Sequence, residues 1–274
     1  MEKQIVRNRQ LPGRDLSPNL KIPHYNKFRK NLYWIPVSTN YDIPIIYEKT
    51  NNAKLLVVIC HGNGQDIGMF DMYIDFFKKI QASVLLFEYP GYGLSLGERS
   101  VQNTNLHATT VMLFIKNILQ IPTSRIFLYG YSIGSGVAIE INAKLHDIGE
   151  TLGGIMLHGA FASSLDLYTN VNANIDYNAN IDYNANIALI NYIMNNPDEI
   201  WDNMKKIEKI YCPLCLFHGE QDQLINVSHA KKIFTYSINS YQKQLSIDPN
   251  GTHNESNIFQ MFYEIEKFIK WIIN

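Results

Sequence analysis

With 274 residues, 46% hydrophobic and 18% charged, the chain is long enough to bury one large α/β core without a second domain. A formal net charge of −1 gives no global attraction to nucleic acid. No run approaches the ~18 apolar residues of a membrane span, and the first thirty residues lack the apolar segment of a secretory signal.

Those thirty residues set eight Lys and Arg against Glu2 and Asp15. Residues 1–30 therefore read as a solvated basic arm, the sharper alternative being peripheral electrostatic contact with an anionic membrane face. Position 2 is Glu, so the N-terminal myristoylation pattern is missing. One domain is expected over 31–274. Residues 33–37 and 43–47 read as a hairpin at a sheet edge. Strands and helices then alternate. A buried-type strand is expected at 55–60, and a helix at 70–80 with Phe70, Tyr73, Phe77 and Ile80 on one stripe. A strand follows at 83–87, then a helix at 106–119, stopped before Pro122. The strand at 126–131 leads into a helix carrying Val137, Ile141 and Leu145. Further strands are expected at 154–157, 214–217 and 243–247. Ile258, Phe262, Ile265, Phe268, Ile269 and Ile272 give the closing helix its buried face.

This alternation predicts an α/β fold: a mostly parallel eight-stranded sheet with helices on both faces. Such sheets place their sites at the carboxyl ends of the strands. One stretch departs from the pattern. Asn172-Ala-Asn-Ile-Asp-Tyr177 recurs over 178–183 and begins again at Asn184. Too short for a solenoid, it reads as a polar Asn-rich surface insertion at about 166–196. Cys60, Cys212 and Cys215 lie in or beside apolar strand-like runs, so buried reduced thiols and a cytoplasmic location are expected.

The most informative segment is Gly130-Tyr131-Ser132-Ile133-Gly134, between an apolar strand-like run and a helix-forming run. Gly-x-Ser-x-Gly in that setting builds a sharp strand-to-helix turn with one hydroxyl at its tip. Side chains at Gly130 and Gly134 would collide with the tightly turned backbone. Serine is a weak nucleophile alone and needs a base, with a third group orienting that base. In sites of this kind the acid and then the base follow the serine along the chain. His146 falls within the helix after Ser132 and points the wrong way. His158 and His218 end strands and read as structural, and His229 opens a helix. His253 follows the last strand, in Asp248-Pro-Asn-Gly-Thr-His253, where a base can reach over the serine. The acid is expected after the preceding strand. Asp222 is the first choice, with Glu220 nearer the strand end and Asp166 on an earlier loop as the others.

Acyl transfer also needs donors for the oxyanion. One is the backbone N–H of Ile133. The other is that of Asn63, in Cys60-His61-Gly62-Asn63-Gly64 after the first buried strand. Losing one such donor typically costs ~3 kcal/mol of barrier stabilisation. The Gly-rich stretch 88–95 lacks the spacing of a phosphate cradle and reads as a turn shaping the site wall, with Tyr92 lining it. No His, Cys, Asp or Glu set has metal-ligand spacing, so no metal and no cofactor are expected.

Taken together, His61-Gly-Asn-Gly64, Tyr89-Pro-Gly-Tyr-Gly93, Gly130-Tyr-Ser-Ile-Gly134, His218-Gly-Glu-Gln-Asp222 and His253-Asn254 resemble the α/β-hydrolase superfamily from about residue 33 onward. Within it the chain resembles the branch of abhydrolase domain-containing protein 17 depalmitoylases and their fungal polarity-related relatives. That resemblance implies a nucleophile at Ser132, an acid at Asp222, a base at His253, and hydrolysis of S-palmitoyl thioesters on membrane proteins. Two features differ from the branch: no cysteine precedes Cys60 in place of a lipidated cysteine cluster, and the Asn-rich insertion is foreign to it.

The expectation is a cofactor-free serine hydrolase of long-chain acyl thioesters or esters, acting on an S-acylated protein or a lipid ester. A lysophospholipase or general carboxylesterase is the alternative within the same mechanism. A membrane-associated adaptor in cell shape or polarity is the alternative of another class.

Overall fold

The computed structural model describes residues 25–28, 30–38, 41–163 and 201–273. The Asn-rich insertion, Asp166 and residues 1–24 lie outside the described residues. Eight strands form one sheet: β1 (Leu32–Ser38), β2 (Tyr41–Glu48), β3 (Leu55–Cys60), β4 (Ala82–Phe87), β5 (Ile126–Tyr131), β6 (Gly154–His158), β7 (Leu214–Gly219) and β8 (Lys243–Asp248). Their spatial order is β1-β2-β4-β3-β5-β6-β7-β8. The β1–β2 and β2–β4 pairs are antiparallel. From β4 to β8 every pair is parallel, and β3 takes the centre with Val57 opposite Val84 on one side and Phe127 on the other.

The described helices are α1 (Asp71–Lys79), α2 (Val101–Asn117), α3 (Ile133–Asp147), α4 (Ser228–Tyr236) and α5 (Ile258–Ile273). Strand alternation splits the core in two. Leu56, Val58 and Cys60 of β3 face one cluster, which holds Val111 and Ile115 of α2, Val137 and Ile141 of α3, and Ile233 of α4. Leu55, Val57 and Ile59 face the other, with Ile74 and Phe77 of α1 and Phe262, Ile265 and Phe268 of α5. Helices on both faces explain why every residue of β3 and β4 is buried. No described helix is long and apolar enough to cross a membrane. All three cysteines are buried and unpaired, and burial pushes the Cys212 and Cys215 thiols up to about 12.

Two boundaries differ from the sequence reading. Helix α2 begins at Val101, because Ser100 caps it by accepting a hydrogen bond from the Asn103 amide at 3.0 Å. Its first turn is polar, so apolar periodicity misses it; Leu106, the expected start, faces outward while Thr104 and His107 are buried. The described end of the span 1–30 also holds packed residues. Tyr25 and Phe28 are buried in the second core cluster, so packed chain is present from Tyr25.

Candidate active site

Strand β5 ends at Tyr131 and α3 begins at Ile133, leaving Ser132 alone to turn the chain. Its φ of 53° and ψ of −119° are unusual for a residue with a side chain. Such strain costs of order 1–3 kcal/mol and persists only where neighbours over-determine it. Here the Ser132 amide donates to His158 O at 2.9 Å. Its carbonyl accepts from the Ser135 amide at 2.9 Å and from Ser135 Oγ at 2.7 Å. A Cβ on Gly130 would lie 2.6 Å from Gly134 O, and a Cβ on Gly134 would lie 2.7 Å from His61 O. Both glycines are therefore dictated by the close approach of the turn and the β3 loop.

Asp222 sits on the loop after β7 and His253 on the loop after β8. The two loops are tied together: Glu220 N donates to Asp248 O at 2.8 Å and Gln221 N to Gly251 O at 2.9 Å. This juxtaposition brings three distant side chains together. Ser132 Oγ is 3.0 Å from His253 Nε2, and His253 Nδ1 is 2.7 Å from Asp222 Oδ2. An ionised carboxylate only accepts, so Nδ1 carries the proton and Nε2 is left to accept from the serine hydroxyl. All three residues are buried.

Asp222 is held on every side. Its Oδ1 accepts from the amides of Leu224 at 2.9 Å and Ile225 at 2.7 Å. His218 Nε2 stands 3.3 Å from Oδ2 and 2.7 Å from Ile225 O. Burial alone would push this carboxyl up. Bonds from His218 and His253, the His253 charge and the Ile225 amide outweigh it and hold the group well below the usual carboxylate range.

The other candidates fall elsewhere. Glu220 pairs with Lys231 at 3.6 Å on the surface. His146 stacks on Tyr211, and His229 Nδ1 accepts from the Ala162 amide at 3.2 Å. His158 lies 3.0 Å from the Tyr129 hydroxyl, and burial, with the charges of His253 and His218, pushes it down to about 3. Asn63 and Ile133 come from adjacent segments. Gly62 packs where a Cβ would lie 2.7 Å from the Tyr131 ring, and Ile133 supplies the first amide of α3, a turn whose N–H groups have no helical partner. Tyr92 OH donates to Asn63 Oδ1 at 2.8 Å, so it is tied to that loop. Among the described residues no cluster of three His, Cys, Asp or Glu is arranged to hold a metal ion.

Sequence reasoning missed two contributors. His218 reads as structural from the sequence, yet from the end of β7 it sits against the acid; its four-residue spacing from Asp222 is the signal. Tyr131 donates from its hydroxyl to His253 O at 2.7 Å.

An eight-stranded, mostly parallel sheet with a serine at the β5–α3 turn is the architecture of the α/β-hydrolase superfamily, and the sequence matches below support the same superfamily. A family profile described as serine aminopeptidase, S33, matches residues 51–167. Within the superfamily its sequence is similar to the alpha/beta hydrolase domain-containing protein 17 branch. It is 23% identical to protein 17B of Homo sapiens over 224 residues, covering 80% of this chain and 67% of that protein. A protein of Acanthamoeba polyphaga mimivirus described as an alpha/beta hydrolase is 25% identical over 240 residues, covering 81% of each. Among solved structures, Est1E from Butyrivibrio proteoclasticus superposes with a TM-score of 0.66 at 12% identity, covering 89% of this chain and 99% of that one, which establishes the shared fold.

Proposed function

We propose that this hydrolase uses Ser132, His253 and Asp222 to cleave long-chain acyl thioesters or esters, with palmitoyl-protein hydrolysis as its specific activity. The observation that carries the reading is the continuous chain from Ser132 Oγ through His253 to Asp222, at 3.0 and 2.7 Å. Such spacing lets one proton move without rearrangement.

Ser132 Oγ attacks the acyl carbonyl carbon while its proton passes to His253 Nε2. Asp222 fixes the imidazole by accepting from Nδ1–H and stabilises the cation that forms. The carbonyl oxygen becomes an anion, held by the amides of Ile133 and Asn63. The tetrahedral centre collapses, and His253 returns the proton to the leaving sulfur or oxygen. An ester on Ser132 remains. Water, deprotonated by His253, attacks that ester and releases the fatty acid, regenerating the serine.

The thioester substrate is proposed from the motif resemblance to the depalmitoylases of the protein 17 branch, a branch to which the chain is similar over 224 residues. The basic residues ahead of Tyr25 support transient contact with an anionic membrane face, about 1 kcal/mol per basic residue near the surface. Matched palmitoyl thioester and oxyester substrates test the assignment. Thioester preference, abolished by Ser132→Ala, is the expected result. A clear oxyester preference would assign a lysophospholipase or carboxylesterase instead. Inertness toward both, with Ser132→Ala replacing the wild type in cells, would assign an adaptor.

A further inference from the structure

Glu88 lies one residue beyond β4 and is wholly buried. Its Oε1 accepts from the Tyr25 hydroxyl and from the Ile67 amide, the latter at 2.9 Å. Its own amide donates to Pro44 O at 3.0 Å, and its carbonyl oxygen lies 2.9 Å from His107 Nδ1. Its Oε2 stands 3.5 Å from His61 Nε2, with both side chains fully buried and neither atom otherwise hydrogen-bonded among the described residues. Burying a carboxyl is costly unless it is well paired, so this cluster needs a reason.

The residues around Glu88 reach the loop that carries Asn63. Tyr89 stacks on the His61 ring at 3.9 Å and donates from its hydroxyl to His61 O at 3.0 Å. Tyr92 donates to Asn63 Oδ1 at 2.8 Å. His61 and Asn63 flank Gly62, which has no side chain to hold the turn. Gly93, at a φ of 47°, closes the loop over the Tyr25–Glu88 bond, where a Cβ would run into both partners.

We propose that Glu88, locked by Tyr25 and the Ile67 amide, is a positioning residue that acts through His61, Tyr89 and Tyr92 to aim the Asn63 amide at the reacting oxygen. This rests on the serine-hydrolase reading, in which Asn63 supplies an oxyanion donor. Glu88 does not touch substrate. It sets the geometry of a group whose contribution depends on being in place before charge develops. Burial and the neighbouring Glu88 push the Tyr25 phenol far above its ordinary value, so it remains a donor.

The test uses full-length Tyr25→Phe, Tyr92→Phe and Glu88→Gln. Each is measured for kcat and KM on a long-chain acyl ester. Affinity is also measured for a trifluoromethyl ketone of the same chain, which forms a tetrahedral oxyanion on Ser132, and for the free fatty acid, which does not. Glu88→Gln is expected to lower kcat about tenfold, and each Tyr→Phe change about threefold, with KM and fatty-acid affinity within about twofold. Ketone affinity falls in step with kcat/KM. Kinetics unchanged in all three variants, or ketone and fatty-acid affinities falling together, overturns the proposal. Where Glu88→Gln fails to fold, the tyrosine variants, each lacking a single oxygen, decide. Failure of the parent reading looks different: wild type and Ser132→Ala would then be equally active or equally inert.

Discussion

Tyr131 and His253 meet twice. The tyrosine hydroxyl donates to the histidine carbonyl at 2.7 Å, and the two rings stack 5.4 Å apart at an interplanar angle of 22°. The residue before the proposed nucleophile thus fixes the loop that carries the proposed base. Tyr131→Phe keeps the ring and removes the bond. It is expected to lower kcat about threefold to fivefold, the size of one net hydrogen bond, with KM nearly unchanged. Steady-state kinetics on an acyl ester checks this, and an equal loss in His253-independent properties such as fatty-acid affinity would point to general distortion.

Asp222→Asn keeps the shape of the side chain and reverses its chemistry. An amide NH₂ facing His253 Nδ1 favours the tautomer that protonates Nε2, which then cannot accept from Ser132. A loss of about 10³–10⁴ in kcat is expected, with folding retained because the Leu224 and Ile225 amides still find the side-chain oxygen. A loss of tenfold or less would remove Asp222 from the proposed relay.

His158 makes stability depend on pH. Its folded value is about 3, against ~6.5 for an exposed histidine. The folded chain therefore binds fewer protons than the unfolded chain between these values. Stability is fully present above about pH 6.5 and falls as pH drops toward 3, by up to about 1.4 kcal/mol per unit from this group. His158→Asn is expected to flatten that slope. Urea midpoints measured from pH 7 to pH 4 check it, and parallel curves for the two proteins would contradict it.

Asp222 adds a second acid-sensitive contribution of the same sign. Its folded carboxyl titrates well below the ordinary ~3.9. Its contribution is complete above that ordinary value and is lost only in stronger acid. The Asp222→Asn protein is expected to lose less stability than wild type below about pH 4, measured by the same midpoints.

Gly134→Ala tests the packing beneath the turn. The added methyl would lie 2.7 Å from His61 O, backbone that cannot swing away. A stability loss of at least about 1–3 kcal/mol is expected, with activity falling further because the Asn63 loop is displaced. Thermal melting and kinetics together check it.

The fold was legible because its signals are local and repeated. β3 reads Leu-Leu-Val-Val-Ile-Cys and is buried on both faces, and α5 carries an apolar stripe that lands in the core. Ser132, Asp222 and His253 were legible from chain order and from their loops after strands. Their distances were not, because the bonded pairs lie 121 and 31 positions apart in the chain. Tyr25 was hidden for a different reason. It follows a basic, polar stretch, and nothing in its neighbours announces that its hydroxyl meets Glu88, 63 residues later. His218 looked structural because a strand-end histidine before glycine usually is. Its four-residue spacing from Asp222, across the end of β7 and the turn that follows, is what puts it against the acid. The start of α2 was concealed by a capped polar turn, where the helix owes its first residues to Ser100 rather than to burial.

The central claim is that Ser132 is a nucleophile activated by His253. A fluorophosphonate that reacts only with activated serines tests it directly, read by mass spectrometry of the peptide containing Ser132. Stoichiometric modification of Ser132 in the wild type is expected, lost in Ser132→Ala and slowed by about a thousandfold or more in His253→Ala. An unmodified Ser132, or the same labelling rate in His253→Ala as in the wild type, would contradict the account.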